Sequence, residues 1–154
     1  MSFTATVDEL EKAMAEAIAN GAKPAAIKAV HHFAPGVYMR ECHIPAGTCL
    51  TSAIHLTEHP FIISDGEIAV ISENEETVTY IAPHHGITLP GTRRLLIAKM
   101  DTIWTTIHAN PDNGQDIAAI GARILDDRPN PLIPPNHPAL DHGWQSQPHN
   151  LPEP

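Results

Sequence analysis

Between residues 29 and 109 the chain is cut into short apolar-rich runs, and nearly every cut carries turn chemistry. The runs are 29–33, 37–44, 49–56, 61–64, 67–72, 77–81, 86–88, 93–99 and 103–109. The separators are Pro35-Gly36, Pro45-Ala46-Gly47, Asp65-Gly66, Glu73-Asn74-Glu75, Pro90-Gly91 and Asp101. Such residues supply the fixed or left-handed backbone angles that reversals need. No separator is long enough to hold a crossover helix, which a parallel strand pair requires. This pattern predicts an all-β antiparallel barrel or sandwich.

Three segments flank or follow the runs. Val7, Leu10, Met14 and Ile18 recur at helical spacing, with Glu11, Lys12 and Glu16 on the opposite side. They predict a helix over 6–20, opened by a Thr6/Glu9 capping box and stopped at Gly21. Residues 116–125 read as a helix or a final strand: Ile117, Ile120 and Ile124 favour the helix, and Gly121 opposes it. From 128 to 154 prolines dominate, so this tail cannot build regular structure of its own. It is expected to dock through Leu132, Ile133, Leu140 or Trp144. The expected organisation is a helix (1–24) packing on a barrel (25–127), followed by a docked extension (128–154).

Composition narrows the partners. Eighteen acidic residues against nine basic ones give a net charge of −9, which repels phosphate backbones and anionic membranes. No nucleic acid or membrane is expected as a partner. No apolar run suits a bilayer span, and the N-terminus lacks the basic start of a signal peptide, so a cytoplasmic location is expected. Cys42 and Cys49 flank a turn and are expected to be reduced.

Histidine is the unusual component, with eleven in 154 residues. His55 and His59 share a face if the run around them is an unbroken strand, and a pair so placed can present a transition metal to a barrel interior. Glu58 then faces away. The doublets His31-His32 and His84-His85 offer at most one inward ring each, by the same alternation.

The segment Gly47–Gly66 resembles the first signature of the cupin superfamily of small jelly-roll barrels. Ala53 stands at the first metal histidine of that signature, His55 at the second and His59 at the glutamate. Leu89–Arg94 resembles the second signature, with Arg94 at its metal histidine and Ala98 at its asparagine. Tyr38–Glu41 and Asp101–His108 are similar to small stand-alone cupins of phage and environmental sequences. The resemblance covers about residues 35–109. It implies a cupin-like antiparallel jelly-roll barrel, here with an N-terminal helix and a Pro-rich C-terminal extension.

A third ligand follows if Met100-Asp101-Thr102 forms a hairpin loop. Arg94 then pairs with His108 and carries that ring onto the pocket face; a two-residue loop would turn it away. His55, His59 and His108 are thus the expected ligands of one transition metal ion. Replacing the glutamate by His59 favours Cu or Zn, with Fe, Ni and Mn left open. Substrate contacts are expected from Arg94 as an anion clamp, Trp104 as a cavity wall, and Tyr38 and Arg40, which alternate in phase. Surface pairing for Arg94 and core packing for Trp104 are the plainer alternatives.

The implied function is a metal-dependent oxidoreductase acting on a small polar substrate such as a sugar or small acid, with hydrolysis or isomerisation next. The rival is a non-catalytic ligand-binding or structural module. A homodimer is expected, because exposed edge strands are commonly paired.

Overall fold

The computed structural model describes residues 2–73 and 77–128. The expected tail contacts of Leu132, Ile133, Leu140 and Trp144 lie outside them. Nine strands form: β1 (Lys28–Ala34), β2 (Gly36–Ile44), β3 (Cys49–Thr51), β4 (His59–Asp65), β5 (Glu67–Ser72), β6 (Val78–Ile81), β7 (His84–Thr88), β8 (Arg94–Ala98) and β9 (Thr102–Asn110). They are framed by helices α1 (Phe3–Ala19) and α2 (Ile117–Ile124). One sheet has the order β1-β2-β9-β4-β7 and the other β3-β8-β5-β6, with every pairing antiparallel. Non-consecutive neighbours such as β2 with β9 define a two-sheet jelly roll. Among the described residues no ladder joins the two sheets.

Alternation builds the core. Along β4, His59, Phe61 and Ile63 are buried while Pro60, Ile62 and Ser64 are exposed. Directly opposed residues share a face. Phe61 pairs with Thr106 and Ile63 with Trp104, so the same face of β9 turns inward. Phe61, Ile63 and Trp104 meet Ile68 and Val70 of β5 and Leu96 and Ala98 of β8 in one apolar cluster between the sheets. At the β4–β5 turn only glycine fits: Gly66 has φ +91°, and a Cβ there would lie 2.2 Å from the Asp101 carbonyl oxygen.

Three local expectations need correction. The run 49–56 is not one strand, because β3 ends at Thr51 and residues 52–58 turn between the sheets. Helix α1 starts at Phe3, capped by Ser2 Oγ accepting from the Ala5 N–H (3.2 Å). Thr6 therefore lies inside the helix, and Glu9 pairs with Lys12 rather than closing a capping box. Glu11, expected to face out, is 2% exposed, because its carboxylate meets Arg93 (2.6 Å) and the Thr51 hydroxyl (2.6 Å).

Residues 117–124 resolve as helix. Asp116 caps it, accepting from the N–H groups of Ala118 and Ala119. Ile120 and Ile124 then pack on Tyr38, which lays α2 across one end of the larger sheet.

Candidate metal centre

Three histidines meet where α2 crosses that end. His59 opens β4 and is 2% exposed; His108 lies near the end of β9 and is 3% exposed. The β4–β9 register, continued two residues beyond Phe61–Thr106, brings His59 alongside His108. His55 arrives from the 52–58 turn. It is held by an isolated bridge to Leu125, with the Leu56 N–H donating to the Ile124 carbonyl (2.8 Å).

Ring centroids lie 4.2 Å (His55–His59), 4.5 Å (His59–His108) and 5.3 Å (His55–His108) apart. One nitrogen of each ring falls within 4.8 Å of those of the other two. Among the described residues this is the one group of three ligating side chains so close together.

Each ring is also tied from outside. His59 Nδ1 donates to the Thr57 carbonyl (3.1 Å), leaving Nε2 as the lone pair. His108 Nε2 bonds the Thr106 hydroxyl (3.0 Å), while its Nδ1 is buried with no hydrogen-bond partner. His55 bonds the Ala53 backbone. Such outer bonds fix tautomer and ring orientation in histidine–metal sites.

The rings are neutral at ordinary pH. Burial, then the His59, His108 and Arg40 charges, bring His55 down to about 3. Burial, followed by His59 and Arg40, brings His108 to about 3 as well. His59 is lowered, chiefly by burial and further by Arg94, against the opposing Thr57 bond. Neutral imidazole is the ligating form. An orphaned buried nitrogen, outer-bonded rings and neutral charge all fit a cation at their centre.

The substrate candidates separate. Tyr38 and Arg40 line a small cavity beside His55 and His108, roofed by α2 through Ile117, Gly121 and Ile124. Arg94 does not pair with His108: β8 and β9 belong to different sheets, and Tyr38 opposes His108 instead. The Arg94 guanidinium donates to Thr88 (2.9 Å) and sits 5.5 Å from the Phe61 ring centre. Trp104 stacks on Phe61 (4.7 Å) in the apolar cluster, four residues along β9 from the cavity. The doublets take other roles: His31 bonds the Tyr38 hydroxyl (2.8 Å), His32 pairs with Glu41, and His84 stacks on Tyr80.

Sequence reading missed Thr106 and the α2 roof. Thr106 was readable, since it stands two positions from His108 on the same strand face. The roof depends on helix docking, for which no local signal exists. Both cysteines are free thiols. No described helix is long and apolar enough to cross a membrane.

The two antiparallel sheets form a jelly roll with a histidine cluster at one end, the architecture that the resemblance to cupins implies. No protein-family model matches the chain, and no curated protein does. Among solved structures it is similar to a cupin superfamily protein from Desulfitobacterium hafniense DCB-2 (9% identity, 57% of this chain and 81% of that one, TM-score 0.47). It is also similar to an acetylacetone dioxygenase from Acinetobacter johnsonii (13% identity, 58% and 68%, TM-score 0.45). A third likeness is to an ectoine synthase from P. lautus (13% identity, 57% and 67%, TM-score 0.48). None of these lends a residue role to this chain.

Proposed function

We propose that His55, His59 and His108 hold one transition metal ion, and that the protein is a metal-dependent oxidoreductase acting on a small polar substrate. The observation carrying this reading is the set of three neutral rings, each bonded from outside, with one nitrogen of each lying within 4.8 Å of those of the other two. An all-imidazole set without a carboxylate favours Cu or Zn, with Fe, Ni and Mn compatible. The ion supplies Lewis acidity and, for Cu, Fe or Mn, electron exchange.

The chain's own groups would do the rest. Arg40 places a fixed positive charge beside the rings, which favours an acid over a neutral sugar. Tyr38, buried and pushed up to about 12 by that burial, keeps its phenolic proton at neutral pH. Ile117 and Ile124 keep bulk water from the roof side.

Elemental analysis of protein purified without a histidine tag tests the proposal. Metal near one equivalent per chain, lost in His55→Ala and in His59→Ala, supports it. Near-zero stoichiometry, together with unchanged melting on adding Cu, Zn, Ni or Fe, sinks it.

A further inference from the structure

Gly121 is an unlikely choice for the middle of a helix. Glycine there costs about 0.8–1 kcal/mol relative to alanine, through backbone entropy. Nothing in the backbone requires it, because its φ lies outside the left-handed range. Packing does not require it either. A Cβ built at 121 would meet only Leu125 Cδ1, at 4.0 Å, an ordinary contact. Yet Gly121 lines the cavity beside His55 and His108. What the missing side chain leaves is open space beside His55 and His108.

That space is small. The centre of a water-sized molecule can move through about 20 Å³ of it, little more than one water needs. Among the described residues its polar wall is Tyr38, Arg40, His55 and His108, with no carboxylate. Neutral imidazoles together with a guanidinium suit a negatively charged occupant.

We propose that Gly121 sets the size limit of the ligand admitted to the histidine centre, and that this ligand is a small anion that places about one water-sized group beside the rings. The inference rests on the metal reading above and specifies the ligand class of that site. A methyl group at 121 fits the ligand-free protein but takes the volume such an anion needs. Stability and ligand affinity therefore move in opposite directions on Gly121→Ala.

The test uses Cu(II)-loaded full-length chain titrated with azide, followed by the azide-to-copper absorption band, with melting recorded in parallel. Gly121→Ala should take up copper as wild type does and melt at the same or a higher temperature. Its azide affinity should be weaker by about tenfold or more, as overfilling so small a space predicts. Ala122→Gly, on the exposed side of α2, should melt lower and bind azide like wild type. Equal azide affinity in Gly121→Ala and wild type overturns the inference while the metal reading stands. Copper-loaded wild type that binds no azide overturns it too. Failure of wild type to take up copper overturns both.

Discussion

His59 and His108 stand side by side on β4 and β9, their ring centroids 4.5 Å apart, each with one nitrogen bonded to a threonine oxygen. Buried so closely, the two lone-pair nitrogens gain little from each other and much from a shared cation. Zn or Cu present at about 100 times its dissociation constant should stabilise the fold by about 2.7 kcal/mol. For a chain this long, that is a melting shift of roughly 5–10 °C. Calorimetry of wild type and His108→Ala, both untagged, checks it. An equal shift in the variant would assign the effect to surface histidines instead.

The metal-free protein should be acid-sensitive in a defined window. His55 and His108 titrate near 3 when folded, mainly through burial, and near 6.5 when unfolded. Between those values the unfolded chain binds more protons, so lowering the pH draws the equilibrium toward it. The stability these neutral rings preserve is fully present above pH 6.5 and is lost as pH falls toward 3. Urea midpoints measured at intervals from pH 7.5 to 4 should decline, and decline less steeply in His108→Gln. Parallel slopes would contradict this.

The tie between α1 and the smaller sheet is a buried ion pair, Glu11 with Arg93 at 2.6 Å, the two side chains 3% and 5% exposed. Removing one partner strands the other charge, so Glu11→Leu should cost about 3–5 kcal/mol. Arg93 keeps a second contact to Asp8 (3.1 Å), which softens that loss. The double variant Glu11→Leu/Arg93→Met should lose clearly less than the two single losses added together. Denaturant unfolding of all four proteins decides, and simple additivity would rule the coupling out.

The strands were legible because a period of two and a turn are local properties, and the reversals at Gly36, Gly66 and Gly91, each with positive φ, separate strands as read. The histidine trio was legible in membership but not in cause. His55 and His59 converge through a turn between sheets, and His108 enters opposite Tyr38 and beside His59 rather than opposite Arg94. Local reading could not assign β8 and β9 to different sheets, because a short link between two strands looks alike for a hairpin and for a crossing. Glu11 was read as exposed because charge alone argues that way. Its partner lies 82 residues further along the chain. The roof over the site was hidden for a similar reason, since α2 docks through Leu125 and Ile124 on a turn distant in sequence.

That roof has an identifiable fastening. The Arg123 guanidinium reaches Asp112 (3.0 Å), the Asn110 side-chain oxygen (3.1 Å) and the Ala109 carbonyl (3.3 Å), tying α2 to the end of β9. Arg123 is partly exposed, so Arg123→Ala should lower global stability only modestly, by about 1 kcal/mol. Its local effect should be larger, because α2 touches the sheet mainly through Ile120 and Ile124. Amide hydrogen exchange reads this directly. The Leu56 and Asp126 N–H groups, which donate to the Ile124 and Ile54 carbonyls, should lose protection in the variant by more than the global change accounts for. The Phe61 and Ile63 amides in β4 should follow the global change alone. Protection lost equally at all four positions would mean that α2 opens only when the whole domain unfolds, and that Arg123 does not fasten it.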